Sequence, residues 1–315
     1  MHQGLPSIIH LGIRWRMEVL LTMADPSRRE SIEELLQQAR AMPAEGFPQH
    51  FYNQLGSVDV ALRKSCLPYS PGRDRYLPVT PYQFNQAHLH DGTPLNASYI
   101  KFPEDHEDYP HASVFSIALS APLPEYALQT LRYFAQSNIK TVVNLTDFEE
   151  GSHIKAHRYL PEKVGDCAVY WPATVRLLSV TEEDLSSSFH LTTKTCELYV
   201  DHYVHQFKEF HVQGWKDFTP GDPNTIALLI ERVSEYEKGF DWSAGPCAVH
   251  CSAGVGRTGV VIGGKKIREL CLKGIEPNVR RIAASMRMQR TFLGGSREQY
   301  YMLWELAKIF KSRIA

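Results

Sequence analysis

The sequence predicts an α/β (α+β) fold: one domain with a central twisted mixed β-sheet flanked by helices, preceded by an N-terminal helical arm. Three observations carry this. Short apolar runs of strand length, "TVVNLT" and "CAVHC", are followed or preceded by longer segments whose apolar residues recur at helical spacing. Between Ser186 and Trp215, in "KTCELYVDHY" and "FKEFHVQGW", apolar and polar residues alternate with many Thr, Tyr, Val and Phe, as in antiparallel strands. There is no repeat period and no long linker that would divide the chain further.

Taken in order, Ser27 and Glu30 form a capping box ahead of "SIEELLQQARAM", so a helix is expected there, ending by Met42 because Pro43 follows. This helix belongs to an arm over residues 1–46, and the main domain covers 47–315. From Pro68 to Pro94 proline, glycine and charge predict loops with short strands. Glu125 to Asn138 has helical spacing and leads into the strand "KTVVNLT". After Pro223 come the helix "TIALLIERVSEYEKG", the strand "CAVHC", and three further helices beginning near Arg257, Asn278 and Ser296.

Composition narrows the function classes. With 43% hydrophobic and 22% charged residues the chain has the balance of a soluble globular protein, and a net charge of −1 gives no field that would gather nucleic acid or an anionic membrane. The six cysteines form no C-x-x-C pair, which disfavours a zinc ribbon or a dense disulfide framework and fits a reducing, cytoplasmic setting. The apolar N-terminus is interrupted by Arg14 and Arg16, so no membrane insertion is expected. Asn96-Ala97-Ser98 and Asn144-Leu145-Thr146 are expected to be structural rather than glycosylated.

The chemistry is concentrated in "VHCSAGVGRTG", Val249 to Gly259. Cys251 leaves a strand, Ser252, Ala253, Gly254, Val255 and Gly256 form a turn almost without side chains, and Arg257 opens a helix. Such a turn lets backbone N–H groups converge on an oxyanion. The helix N-terminus and the planar guanidinium of Arg257 add positive potential. The same field stabilises a thiolate, making Cys251 a nucleophile aimed at whatever anion the turn holds. Phosphate fits: sulfur attacks phosphorus in line and a phosphocysteine results, which water must then release. His250 and the hydroxyl of Thr258 are expected to polarise the thiolate and ease its departure.

"HCSAGVGRTG" resembles the signature loop of the cysteine-dependent protein tyrosine phosphatases, H-C-x-x-G-x-x-R-[ST]-G, and other segments resemble the tyrosine-specific, non-receptor-like branch in the same order. "RDRYLPVTP" is similar to its phosphotyrosine-recognition loop, "LNASYI" to its N-A-S-Y-I strand, "VVNLTDFEEGSHIKAHRYLP" to its E-x-G segment, "GWKDFTP" to its mobile W-P-D loop and "REQYY" to its Q-Y pair. The resemblance implies a single phosphatase domain that hydrolyses phosphotyrosine in proteins, without metal or cofactor, as a monomer. It implies Asp217 as general acid and base, Tyr76 as the pocket wall that sets its depth, and Gln299 on the substrate side. Glu149 is implied to hold the cradle arginine, and Lys155 to meet the mobile loop. Arg287 and Arg290 are implied to approach the site, where they could meet acidic substrate side chains.

The sequence also departs from the family pattern. Lys216 replaces the proline before the acid, Pro78 replaces an aspartate that grips the substrate backbone, and Gly295 stands where a water-positioning glutamine is usual. Two alternatives follow: a phosphotyrosine-binding pseudophosphatase, suggested by Lys216 and Gly295, and a dual-specificity phosphatase, disfavoured by Tyr76. The histidines of "HLHD" and "HEDYPH" are expected to form a solvated face rather than a metal site.

Overall fold

The computed structural model describes residues 49–102, 115–241 and 243–314. The arm helix expected before Met42 lies outside these residues, as does "HEDYPH". The described chain forms α1 (Gln49–Leu62), β1 (Gln86–His88), β2 (Pro94–Ile100), β3 (Ser116–Ser120), α2 (Ala127–Gln136), β4 (Thr141–Asn144), β5 (Glu149–Glu150), β6 (His153–Ile154), β7 (Cys167–Tyr170), β8 (Ala173–Asp184), β9 (His190–Val200), β10 (Tyr203–Gln213), α3 (Pro223–Glu237), β11 (Cys247–Cys251), α4 (Gly256–Leu272), α5 (Val279–Gln289) and α6 (Arg297–Ile314).

Nine strands make one mixed sheet in the order β1-β2-β3-β11-β4-β10-β9-β8-β7. β11 runs parallel to both neighbours, β3 and β4, and β10 runs parallel to β4; the outer pairs are antiparallel. The central strands read as unbroken runs rather than alternations because both faces are covered: every residue of β3, β4 and β11 is buried. Val143, Val249 and Phe210 face a core shared with α1 and α3 to α6, whereas Val142, Ala248 and Phe207 face one shared with α2. Cys251 is the last residue of β11, so it stands at the carboxyl ends of the parallel strands, where open α/β sheets place their ligands.

The buried asparagines explain the two N-x-[ST] triplets. Asn96 donates to Asp74 and to the carbonyl of Val79, and Asn144 donates to Glu209, so both are internal struts.

α1 was not expected from the sequence, although Phe51, Leu55, Val58 and Leu62 recur at helical spacing and are buried in the main core. Gly56 and the β-branched Val58 and Val60 weaken its intrinsic propensity, so tertiary contacts hold it. The anchor is Asp59. Its carboxylate accepts from Arg287 at 2.8 Å, from the Thr291 hydroxyl at 3.2 Å and from the Phe292 amide at 2.8 Å. Removing one partner of a buried pair strands the other charge, so Asp59→Ala is expected to lower unfolding free energy by about 3 kcal/mol in urea titration.

Candidate active site

The turn after β11 is shaped from outside. Gly254 has φ +71°, and a Cβ there would lie 2.1 Å from the carbonyl oxygen of Leu119. A Cβ on Gly259 would lie 2.2 Å from the Gly294 amide, which itself donates to the Val255 carbonyl. The turn's carbonyls are taken up on its outer side. Ser252 O accepts from the Ala121 amide, and Ala253 O accepts from the Ser120 hydroxyl. Arg290, fully buried, donates from Nε to Gly254 O at 2.8 Å and from NH2 to Ala253 O at 3.1 Å. Its remaining donors go to Asn96 Oδ1 and Ser98 Oγ, and burial lowers its pKa only to about 10, so it stays charged.

With its carbonyls held outward, the turn directs amides to the sulfur. Burial pushes the Cys251 thiol up, but the charge of Arg257, the Thr258 hydroxyl at 3.3 Å and the amides of Thr258 and Val255 pull it down, and the balance falls below an ordinary thiol. The buried thiols Cys196 and Cys247, which lack this setting, are pushed upward instead. His250 was expected to polarise the thiolate, but its ring is turned to groups other than the sulfur. Its Nε2 meets the Tyr159 hydroxyl at 3.0 Å and its Nδ1 faces the Cys251 carbonyl at 3.3 Å. Burial lowers the imidazole to about 3, so it is neutral and positions the main chain.

Arg257 is held by groups on two other loops. NH1 donates to Glu150 Oε1 at 3.1 Å and to the carbonyl of Trp215 at 2.5 Å. The carboxylate that holds this arginine is therefore Glu150, and the expectation for Glu149 is corrected: Glu149 is exposed and pairs with Ile154 across the β5–β6 hairpin. Neighbouring strand residues point to opposite faces, so a register of one residue exchanges their roles. Arg257 Nε makes no hydrogen bond, and NH2 meets only the Asp217 carboxylate, 3.2 Å away.

Asp217 sits at the tip of a tight turn closed by the Thr219 amide and hydroxyl on the Lys216 carbonyl. Its Oδ2 accepts from Lys155 Nζ at 2.8 Å. The loop is rooted by Trp215, which is fully buried against Phe189 and donates from Nε1 to Thr219 O. Gly214 and Gly221, both at positive φ, flank it; a Cβ on Gly214 would lie 2.0 Å from Ser188 O. The Lys216 side chain is exposed.

The Tyr76 hydroxyl is 2.9 Å from Ser252 Oγ, which in turn donates to the Lys155 carbonyl at 2.7 Å. The buried Gln299 accepts from the Ser296 amide and donates to Thr219 O at 3.4 Å. Its amide lies against Gly256 and fills the space beside Gly295, where a Cβ would come within 1.8 Å of it. Arg287 and Arg290 do not meet substrate side chains: Arg287 is buried on Asp59 and Arg290 on the cradle carbonyls. The role of Glu150, the grip of Arg290 on the turn carbonyls and the partnership of Asn96 with Asp74 were not expected from the sequence.

A family model described as protein-tyrosine phosphatase matches residues 70–308. The chain belongs to the protein-tyrosine phosphatase family. This phosphatase-family chain is 25% identical over 244 residues to human tyrosine-protein phosphatase non-receptor type 13, covering 77% of this chain and 9% of that protein. It is 30% identical to bovine receptor-type tyrosine-protein phosphatase F over 76% of this chain and 12% of the relative. The chain thus spans a small part of the length of these relatives. The catalytic domain of human protein tyrosine phosphatase non-receptor type 18 superposes with a TM-score of 0.71 at 21% identity, covering 89% of this chain and 99% of that one, and shows the same fold.

The Cys251 environment has a measurable consequence. Alkylation of Cys251 by iodoacetamide, followed by mass spectrometry of its peptide, is expected to have a pH midpoint below the roughly 8.5 of a free cysteine. Thr258→Val, which removes one donor to the sulfur, is expected to move that midpoint upward.

Proposed function

We propose that residues 47–315 form a catalytic domain that hydrolyses phosphotyrosine in proteins. The observation that carries this reading is a buried thiol held below its ordinary pKa beside an arginine whose Nε has no hydrogen-bond acceptor and whose NH2 is ion-paired with the Asp217 carboxylate of the neighbouring loop.

The steps follow from these positions. Phosphate oxygens take up the turn amides of residues 252–257 and the Nε and NH2 donors of Arg257. Arg257 then releases Asp217, while Lys155, Glu150 and Trp215 keep loop and arginine in register. Cys251 Sγ attacks phosphorus, a P–S bond forms, and the P–O bond to tyrosine breaks as Asp217, which takes up a proton from solvent once Arg257 has released it, passes that proton to the leaving oxygen. In the second step water attacks phosphorus, its proton passes to Asp217, and the thiolate leaves, eased by the Thr258 hydroxyl. Gln299, beside Gly256 and bonded to the Asp217 loop, is the side chain that orients this water. Tyr76 walls the pocket, so that a long aromatic phosphoester reaches the sulfur in preference to a short one.

The chain's similarity to non-receptor type 18, a phosphatase whose structures include complexes with HER2 phosphopeptides, supports phosphotyrosyl proteins as partners. Action as a monomer in the cytoplasm is part of the same proposal; no described helix is long and apolar enough to cross a membrane. Gly295 favours one second reading, a phosphotyrosine-binding protein without turnover.

Kinetics with p-nitrophenyl phosphate separate the two. Cys251→Ser is expected to abolish turnover, and Asp217→Ala to lower kcat by about 10²- to 10⁴-fold. Wild-type protein that binds phosphotyrosine peptides without turnover establishes the second reading, and turnover by Cys251→Ser overturns the mechanism.

A further inference from the structure

Three of the four most exposed large apolar side chains among the described residues are chain neighbours of residues at the mouth of the site. Leu77 (72% exposed) follows Tyr76, Ile154 (69%) precedes Lys155, and Phe218 (77%) follows Asp217; only Trp171 (87%) is more exposed. The hydrogen bonds that join Tyr76 to Ser252, Ser252 to Lys155 and Lys155 to Asp217 bring the three segments together, and Arg75 NH1 donates to the Ile154 carbonyl at 3.4 Å. Exposed apolar side chains on segments that converge at one site mark a contact surface, whereas scattered ones need no explanation.

The cationic groups of the same rim are largely engaged, and Glu149, the exposed cross-strand neighbour of Ile154, is an anion. Lys155 is bonded to Asp217, and Arg75 donates to the carbonyls of Ile154 and Pro122. Arg287 and Arg290 are buried behind the site, and Pro78 offers no side-chain acceptor to a substrate backbone. Lys216 alone extends from the Asp217 loop as an exposed cation.

We propose that Leu77, Ile154 and Phe218 form an apolar collar that receives the side chains on either side of the phosphotyrosine, so that preferred substrates carry large aliphatic or aromatic residues there rather than acidic ones. The collar rests on the phosphatase reading above, but its test separates the two.

The test compares kcat/KM on three phosphotyrosyl peptides of equal length, flanked by Leu/Ile, Ser/Thr or Asp/Glu, with p-nitrophenyl phosphate as a substrate too short to reach the collar. The Leu/Ile peptide is expected to exceed the Ser/Thr peptide about tenfold, equivalent to about 1.4 kcal/mol. In the double variant Leu77→Ser/Ile154→Ser that advantage is expected to shrink to about twofold, with p-nitrophenyl phosphate turnover unchanged. A best rate on the Asp/Glu peptide, or a Leu/Ile advantage that survives in the double variant, overturns the collar. If p-nitrophenyl phosphate is not turned over, the phosphatase reading fails. The same peptides ranked by affinity for the wild-type protein and the double variant then decide the collar.

Discussion

A buried guanidinium turned toward main-chain carbonyls underlies the whole site. Arg290 donates to Ala253 O and Gly254 O, and by fixing these two carbonyls on the outer side of the turn it fixes the peptide planes whose amides face inward. Its own position depends on Asn96 and Ser98 of β2. Asn96 is tied to Asp74, whose carboxylate also accepts from Arg73 and from the Ser70 amide. The segment carrying Tyr76 and the turn carrying Cys251 are thus two ends of one polar network. Burying a charge here is tolerable because each guanidinium nitrogen finds an acceptor, and a network so fully satisfied is rigid.

The second organising group is Arg257, on which two other segments converge. Glu150 comes from the β5–β6 hairpin, and Trp215 O and Asp217 from the root and the tip of the loop that follows β10. Trp215 is buried and rigid while the Lys216–Thr219 turn projects from it, so the acid is carried on a small lever with a fixed root. Nε remains for an anion, NH2 joins it once Asp217 is released, and the preorganised field that would receive the anion also holds the Cys251 thiol low.

Much of this could be read from the sequence, for physical reasons. The cradle is contiguous, so cysteine, small residues and arginine appear together, and the parallel strands around it are apolar runs because both faces are buried. What depended on register or on distant partners could not be read. Glu149 and Glu150 are adjacent and alike, and only the hairpin decides which one faces Arg257. Arg287 and Arg290 are implied to approach the site and meet substrate side chains, yet partners more than 190 positions away, Asp59 and Asn96, draw them inside. His250 beside a nucleophile suggests a contact with the sulfur, whereas full burial keeps it neutral and its ring nitrogens meet Tyr159 and the main chain.

The central claim is that backbone orientation, held from behind by a forked arginine, creates the oxyanion site. Tungstate affinity measured by calorimetry on Arg290→Lys tests it most directly, because an ammonium cannot hold both carbonyls while Arg257 and Cys251 remain untouched. The claim predicts affinity at least about tenfold weaker than wild type in a protein that still unfolds cooperatively, about 1.4 kcal/mol. Wild-type affinity in a folded Arg290→Lys protein would contradict it.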